Sequence, residues 1–77
     1  MKKPRRKELE KAMDLLRQAY EIIETVRDEE QEAFDNLPEG LQESERGETM
    51  EESIYDMESV MEDLDSDIET LDEIIYR

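Results

Sequence analysis

The chain has no cysteine and no histidine. Without cysteine no disulfide can staple it, and without either residue the usual ligands of a structural zinc are missing. A 77-residue chain that lacks both devices is held by packing alone, and at this length one layer of packing buries little surface. Oligomerisation is the expected remedy. The missing histidine also removes the base from nucleophilic triads, leaving Ser44, Ser53, Ser59 and Ser66 without a partner. Lone carboxylates on a solvated helix are not an acid–base pair until a pocket perturbs them. No enzymatic activity and no cofactor are therefore expected. No apolar run approaches the ~20 residues of a membrane span, and the basic opening is not followed by the apolar stretch of a signal peptide. The expectation is a soluble protein of the cytoplasm with no membrane partner.

Basic residues are also scarce. Ten Lys and Arg stand against 25 Asp and Glu, giving a net charge of −15. The charge is laid out in blocks: residues 1–27 carry eight basic and five acidic side chains, residues 28–46 one and eight, and residues 47–77 one and twelve. Such charge with a mean hydropathy of −1.01 fits a disordered chain. The placement of the apolar residues argues otherwise. From Met50 they run Met50, Ile54, Met57, Met61, Leu64, Ile68, Leu71 and Ile75, alternating steps of four and three. That is the seam of a helix packed on another helix.

An earlier stripe precedes it. Leu9, Ala12, Met13, Leu16, Ala19, Tyr20, Ile23 and Val26 line one side of a long helix, which Ala33, Phe34 and Leu37 continue. One heptad row is Leu9, Leu16, Ile23, Glu30, Leu37; another, of small residues, is Ala12, Ala19, Val26, Ala33. Small side chains on a seam row let a neighbouring backbone approach, which suits antiparallel packing against the Met-rich stripe. Pro4 is preset for a first helical turn, and Leu37-Pro38 ends the helix because proline disfavours helical geometry just before it. Gly40 and Gly47, the only glycines, mark a joint, with Leu41 placed to tuck beneath it and Leu41–Ser44 able to form a short turn. Two starts suit the second helix: Ser44 as cap, or Thr49 with Glu52 as a capping box. Ser44 is preferred, with Gly47 tolerated in the first turn but unhelpful there.

The expected fold is all-α: one domain over residues 1–77, an antiparallel two-helix hairpin resembling a coiled coil, with helices at about 4–36 and 45–76 and a joint at about 37–44. In that orientation Arg5, Arg6, Lys7 and Lys11 lie beside Asp65, Asp67, Glu69, Asp72 and Glu73, which chooses orientation more than it adds stability. Leu15 and Ile22 fall on a flanking row of the first helix, Val60 and Ile74 on one of the second. These four are the candidate dimer contacts, predicting a homodimer of hairpins in a four-helix bundle.

Other features have plainer readings. Asp63, Asp65 and Asp67 resemble the start of a calcium loop, but Ile68 stands where glycine is needed and Ile74 where glutamate is. Seam residues Leu64 and Ile68 interleave the string and put it on a helix, so no metal site is expected. Met50, Met57 and Met61 suit an adaptable groove, but heptad spacing makes them core. Tyr55 and Tyr76 share an outer row and suit either bundle or partner contacts. The basic run from Lys2 to Lys7 has the look of a nucleic-acid patch; against a charge of −15 it is better used in pairing with the acidic half. No direct nucleic-acid binding is expected.

What remains is the acidic surface. Glu51, Glu58, Glu62, Asp63, Asp65 and Glu69 stand on exposed rows of a stiff helix. Regularly spaced carboxylates there can imitate a nucleic-acid backbone and compete for a basic cleft, or serve solubility alone. The stretch Asp28–Glu48, DEEQEAFDNLPEGLQESERGE, followed by the heptad helix of Glu51–Ile75, resembles a group of small acidic helical accessory proteins of Firmicutes bacteriophages and prophages. The run around Asn36-Leu37-Pro38 and Ser44-Glu45-Arg46-Gly47-Glu48 is the most specific part. The resemblance implies a phage-borne accessory protein in the host cytoplasm and brings no catalytic residues. By analogy with small acidic phage proteins, the expected role is to inhibit a host defence or nucleic-acid-processing factor with a basic cleft, in the manner of an anti-CRISPR. The alternative is a structural or adaptor protein whose partner meets the joint at Leu37, Pro38 and Leu41 or the Tyr55 and Tyr76 row.

Overall fold

A computed structural model describes all residues from Met1 to Arg77. Three helices follow one another: α1 (Lys3–Asp35), α2 (Glu39–Gln42) and α3 (Glu45–Ile75). There are no strands. Pro4 sits in the first turn of α1 and Ser44 caps α3, its hydroxyl accepting from the Gly47 amide at 3.4 Å. At 1.5 Å per residue the long helices span most of a body that measures 58 × 14 × 13 Å.

The long helices are antiparallel. Lys3 and Arg6 lie by Ile75 and Tyr76, Arg17 and Tyr20 by Asp65 and Ile68, and Ile22 and Val26 by Met57 and Val60. The seam of α3 is the expected one. Met50, Ile54, Met61 and Ile75 are buried, with Met57, Leu64, Ile68 and Leu71 half-buried between them. Met13 is the one buried residue of α1, flanked by half-buried Leu9, Leu16, Tyr20 and Ile23.

The α1 seam differs from the expected one over its second half. Val26 and Ala33 are exposed, and half-buried Arg27 and Glu30 sit on the seam side. A straight α-helix drifts by about 20° per heptad against a strict seven-residue row. The Ala12 row is thereby carried out of the seam, and the row Met13, Tyr20, Arg27, Phe34 is carried in.

The joint also corrects expectation. Leu41 does not tuck beneath it: it is 46% exposed, because α2 turns Gln42 inward instead. The Gln42 Nε2 donates to the carbonyl of Phe34 at 3.1 Å, which also accepts from the Leu37 amide at 3.0 Å, and to that of Leu37 at 3.4 Å, tying α2 to the end of α1. Gly47 is buried, and its role is steric. A Cβ there would run into the Gln42 carbonyl and come within 2.7 Å of the Leu41 oxygen, so α3 can start beneath α2 only if this position has no side chain.

The expected cross-hairpin pairing of the basic cluster does not form. Lys11 pairs with Glu8 on its own helix at 3.4 Å, and Arg5, Arg6 and Lys7 have no carboxylate within ion-pair distance. Arg6 is half-buried by Ile75 and Tyr76, its Nε buried without a hydrogen-bond partner. The cluster acts on a different partner. The last turn of α3 has no basic residue of its own, and the positive start of α1 lies against that end, where the helix dipole is negative.

Candidate interaction surfaces

The hairpin has two unlike sides. On one, Ile22, Ile23 and Val26 of α1 and Met57 and Val60 of α3 line an open apolar groove whose only polar lining residue is Asp56. Leu15 and Ile22 are 64% and 65% exposed, and Val26 and Val60 are nearly half exposed. A shallow depression continues from it over Gln18, Glu21, Thr25 and Glu29. On a 77-residue chain with six buried residues, large aliphatic side chains left open along one side are the main unsatisfied packing surface.

Three of the four candidate dimer contacts, Leu15, Ile22 and Val60, are exposed on that side. Ile74 is not equivalent: it is half-buried, next to Ile75, which the start of α1 meets. Val26, expected in the seam, takes its place in the open groove. The sign of this in the sequence is that Ile22 and Val26 are four residues apart, on one helix face.

The opposite side is polar and acidic. Tyr20 and Arg27 of α1 and Glu58, Met61, Glu62 and Asp65 of α3 meet there. Arg27 Nη1 reaches Glu58 Oε2 at 3.7 Å, the one ion pair between the two long helices, while its Nε donates to Asp28 at 2.9 Å. Beyond this pair α3 presents its outer row: Tyr55, Glu62, Glu69 and Tyr76 at seven-residue steps, both tyrosines exposed and the two glutamates between them. Glu51, Glu58 and Asp65 adjoin the row and are exposed as well.

Asp63 does not belong with these five carboxylates. It is turned by about 100° from Glu62 and falls on the row of Asp56, which edges the apolar groove. Asp63 and Asp67, four residues apart, share one face of α3 while Asp65 points to the other side, and no cluster of His, Cys, Asp or Glu is gathered in a metal-binding arrangement. At the joint, Leu37 is half-buried, while Pro38 and Leu41 are exposed. No helix is long and apolar enough to cross a membrane.

Comparison with protein-family models, with curated proteins and with solved structures found no match.

Proposed function

We propose that this chain is a non-enzymatic, phage-borne inhibitor that acts as a dimer of hairpins and occupies a basic cleft of a host protein with the outer face of α3. The observation that carries this reading is the make-up of that face: exposed Glu58, Glu62, Asp65 and Glu69 bracketed by exposed Tyr55 and Tyr76, with exposed Glu51 one turn before Tyr55. Steps of three and four residues space the carboxylates of Glu58, Glu62, Asp65 and Glu69 about 5 Å apart along the axis, comparable with the roughly 3.4 Å between charges along one DNA strand. The support is rigid, so little ordering is needed on binding. Exposed tyrosines at both ends suit Arg and Lys side chains of a cleft that otherwise holds phosphates. The resemblance of residues 28–75 to small acidic phage accessory proteins agrees with a host defence or nucleic-acid-processing factor as the target, met in the bacterial cytoplasm. Dimerisation would bury the groove at Leu15, Ile22, Val26 and Val60 and leave this face free, since the two lie on opposite sides.

The test is a pull-down from host lysate with washes of rising salt, followed by an inhibition assay on the captured protein. The wild type should capture a protein with a basic cleft that elutes at moderate salt. Replacing Glu58, Glu62, Asp65 and Glu69 together by Lys should abolish capture and inhibition with helicity retained. Capture that survives this replacement would overturn the reading.

A second reading, a structural or adaptor protein, is favoured by exposed Leu41 and Pro38 at the joint. It predicts that Leu41→Ser, and not charge reversal on α3, breaks the complex.

A further inference from the structure

We infer that the occupant of the apolar groove is a second copy of this chain laid end for end, so that the basic end of each hairpin meets the acidic joint of the other. The inference rests on the dimer proposed above and adds its orientation and its charge contacts.

Two observations select that orientation. The first is where the patch sits along the rod. Leu15, Ile22 and Val26 centre near residue 20 or 21 of a helix running from Lys3 to Asp35, close to its midpoint. A twofold axis through the patch and across the rod therefore covers apolar surface with apolar surface while the two rods overlap almost fully. Such a contact is self-complementary, as a closed dimer needs.

The second is the charge along the rod. At one end residues 1–7 and the adjoining residues 71–77 together carry six basic and two acidic side chains, whereas residues 28–52, which include the joint, carry eleven acidic and one basic. Side-by-side packing with like ends together would set two such joints next to each other, within the ~8–10 Å range of unscreened charge. End-for-end packing sets each joint against a basic end. The groove's own rim fits the same plan. Glu29 and Asp56 edge it toward the joint. Lys11, on the heptad row of Gln18 and Thr25, lies about as far from the patch centre in the other direction. With the axis near residue 20, Lys11 of one copy comes opposite Glu29 of the other. Inside its own hairpin Lys11 has only an exposed bond to Glu8 at 3.4 Å.

The absence of native cysteine makes the test clean. Sedimentation equilibrium first establishes mass, and spin labels on Gln18→Cys and, separately, Glu8→Cys then report distance between copies. End-for-end packing predicts a short separation, under about 20 Å, at Gln18 and about 35–40 Å at Glu8, from the residue offset at 1.5 Å per residue. Short separations at both positions would overturn the orientation while leaving the dimer standing. A 9.2 kDa species at all concentrations up to about 100 μM, where a Kd tighter than that would show, would overturn the dimer itself. Charge exchange gives an independent reading. Lys11→Glu should raise the dissociation constant roughly fivefold to tenfold, and adding Glu29→Lys should restore it, the scale expected of a few rim pairs. No restoration by the second change would also overturn the end-for-end arrangement.

Discussion

Gly40 and Gly47 lie in the same joint and respond to substitution in opposite ways. A Cβ at Gly40 meets nothing within 4 Å, whereas one at Gly47 meets the Leu41 and Gln42 backbone. Gly40→Ala adds a better helix former to α2 and restricts the unfolded chain, so it should stabilise by about 0.4–1 kcal/mol. Gly47→Ala forces α2 and the start of α3 apart and should destabilise by roughly 1–3 kcal/mol, as overpacking against backbone does. Thermal melts of the two variants at fixed concentration check this, and equal effects would refute the close approach. Gln42 is the companion case. Gln42→Leu keeps volume but leaves the Leu37 carbonyl without its donor and that of Phe34 with the Leu37 amide alone, with an expected loss of about 1 kcal/mol, readable as a lower midpoint in urea. Neither role was legible beforehand. A glycine in a first helical turn reads as tolerated, and a glutamine in a loop reads as solvated, because both roles depend on how α2 folds over α3 and not on local pattern.

At the scale of the element, α3 was readable almost residue by residue, and α1 only in its first half. The difference lies in the patterns themselves. The α3 stripe offers two adjacent rows of large apolar residues, Met50 to Leu71 and Ile54 to Ile75, with carboxylates around them, so one face is clearly marked for burial. In α1, apolar residues occupy three adjacent rows, and the choice between them turns on helical drift and on what the partner helix can cover. The row Met13, Tyr20, Arg27, Phe34 wins over Ala12, Ala19, Val26, Ala33 toward the joint, and a charged residue enters the seam with it. Arg27 is held there chiefly by its stem: its side chain is 24% exposed and its Glu58 partner 51% exposed, at 3.7 Å. An exposed pair of this kind contributes at most about 1 kcal/mol, while a long side chain laid along apolar surface contributes packing. Arg27→Met should therefore change stability by no more than about 0.5 kcal/mol, whereas Arg27→Ala should cost about 1 kcal/mol more. Chemical denaturation of both variants decides the matter, and a Met variant as damaged as the Ala variant would assign the role to charge. The candidate surfaces were legible to the same degree as their helices. The outer row of α3 stands where its spacing put it, apart from Asp63, and the groove exchanged Ile74 for Val26 because the end of α3 is covered and the middle of α1 is not.

For the whole molecule the deciding fact is that one of its two sides is apolar and the other acidic. Each copy carries a net charge of −15, with one ion pair joining the long helices, so repulsion within and between copies exceeds the attraction that the few pairs supply. Screening shortens the reach of that repulsion from about 30 Å at 0.01 M salt to about 8 Å at 0.15 M. Raising salt over this range should therefore raise the melting temperature and tighten self-association through the apolar groove, whose aliphatic contacts do not depend on charge. The proposed binding of a basic cleft to the outer face of α3 would have the other sign. It gains from the long-range attraction that salt removes, and its dissociation constant should rise steeply over the same range. Sedimentation equilibrium and a binding titration in matched buffers follow both quantities at once. Opposite slopes place the two events on the two sides of the hairpin. If self-association weakened with salt in parallel with partner binding, the contact between copies would be electrostatic, and the groove of Ile22, Val26, Met57 and Val60 would not be its centre.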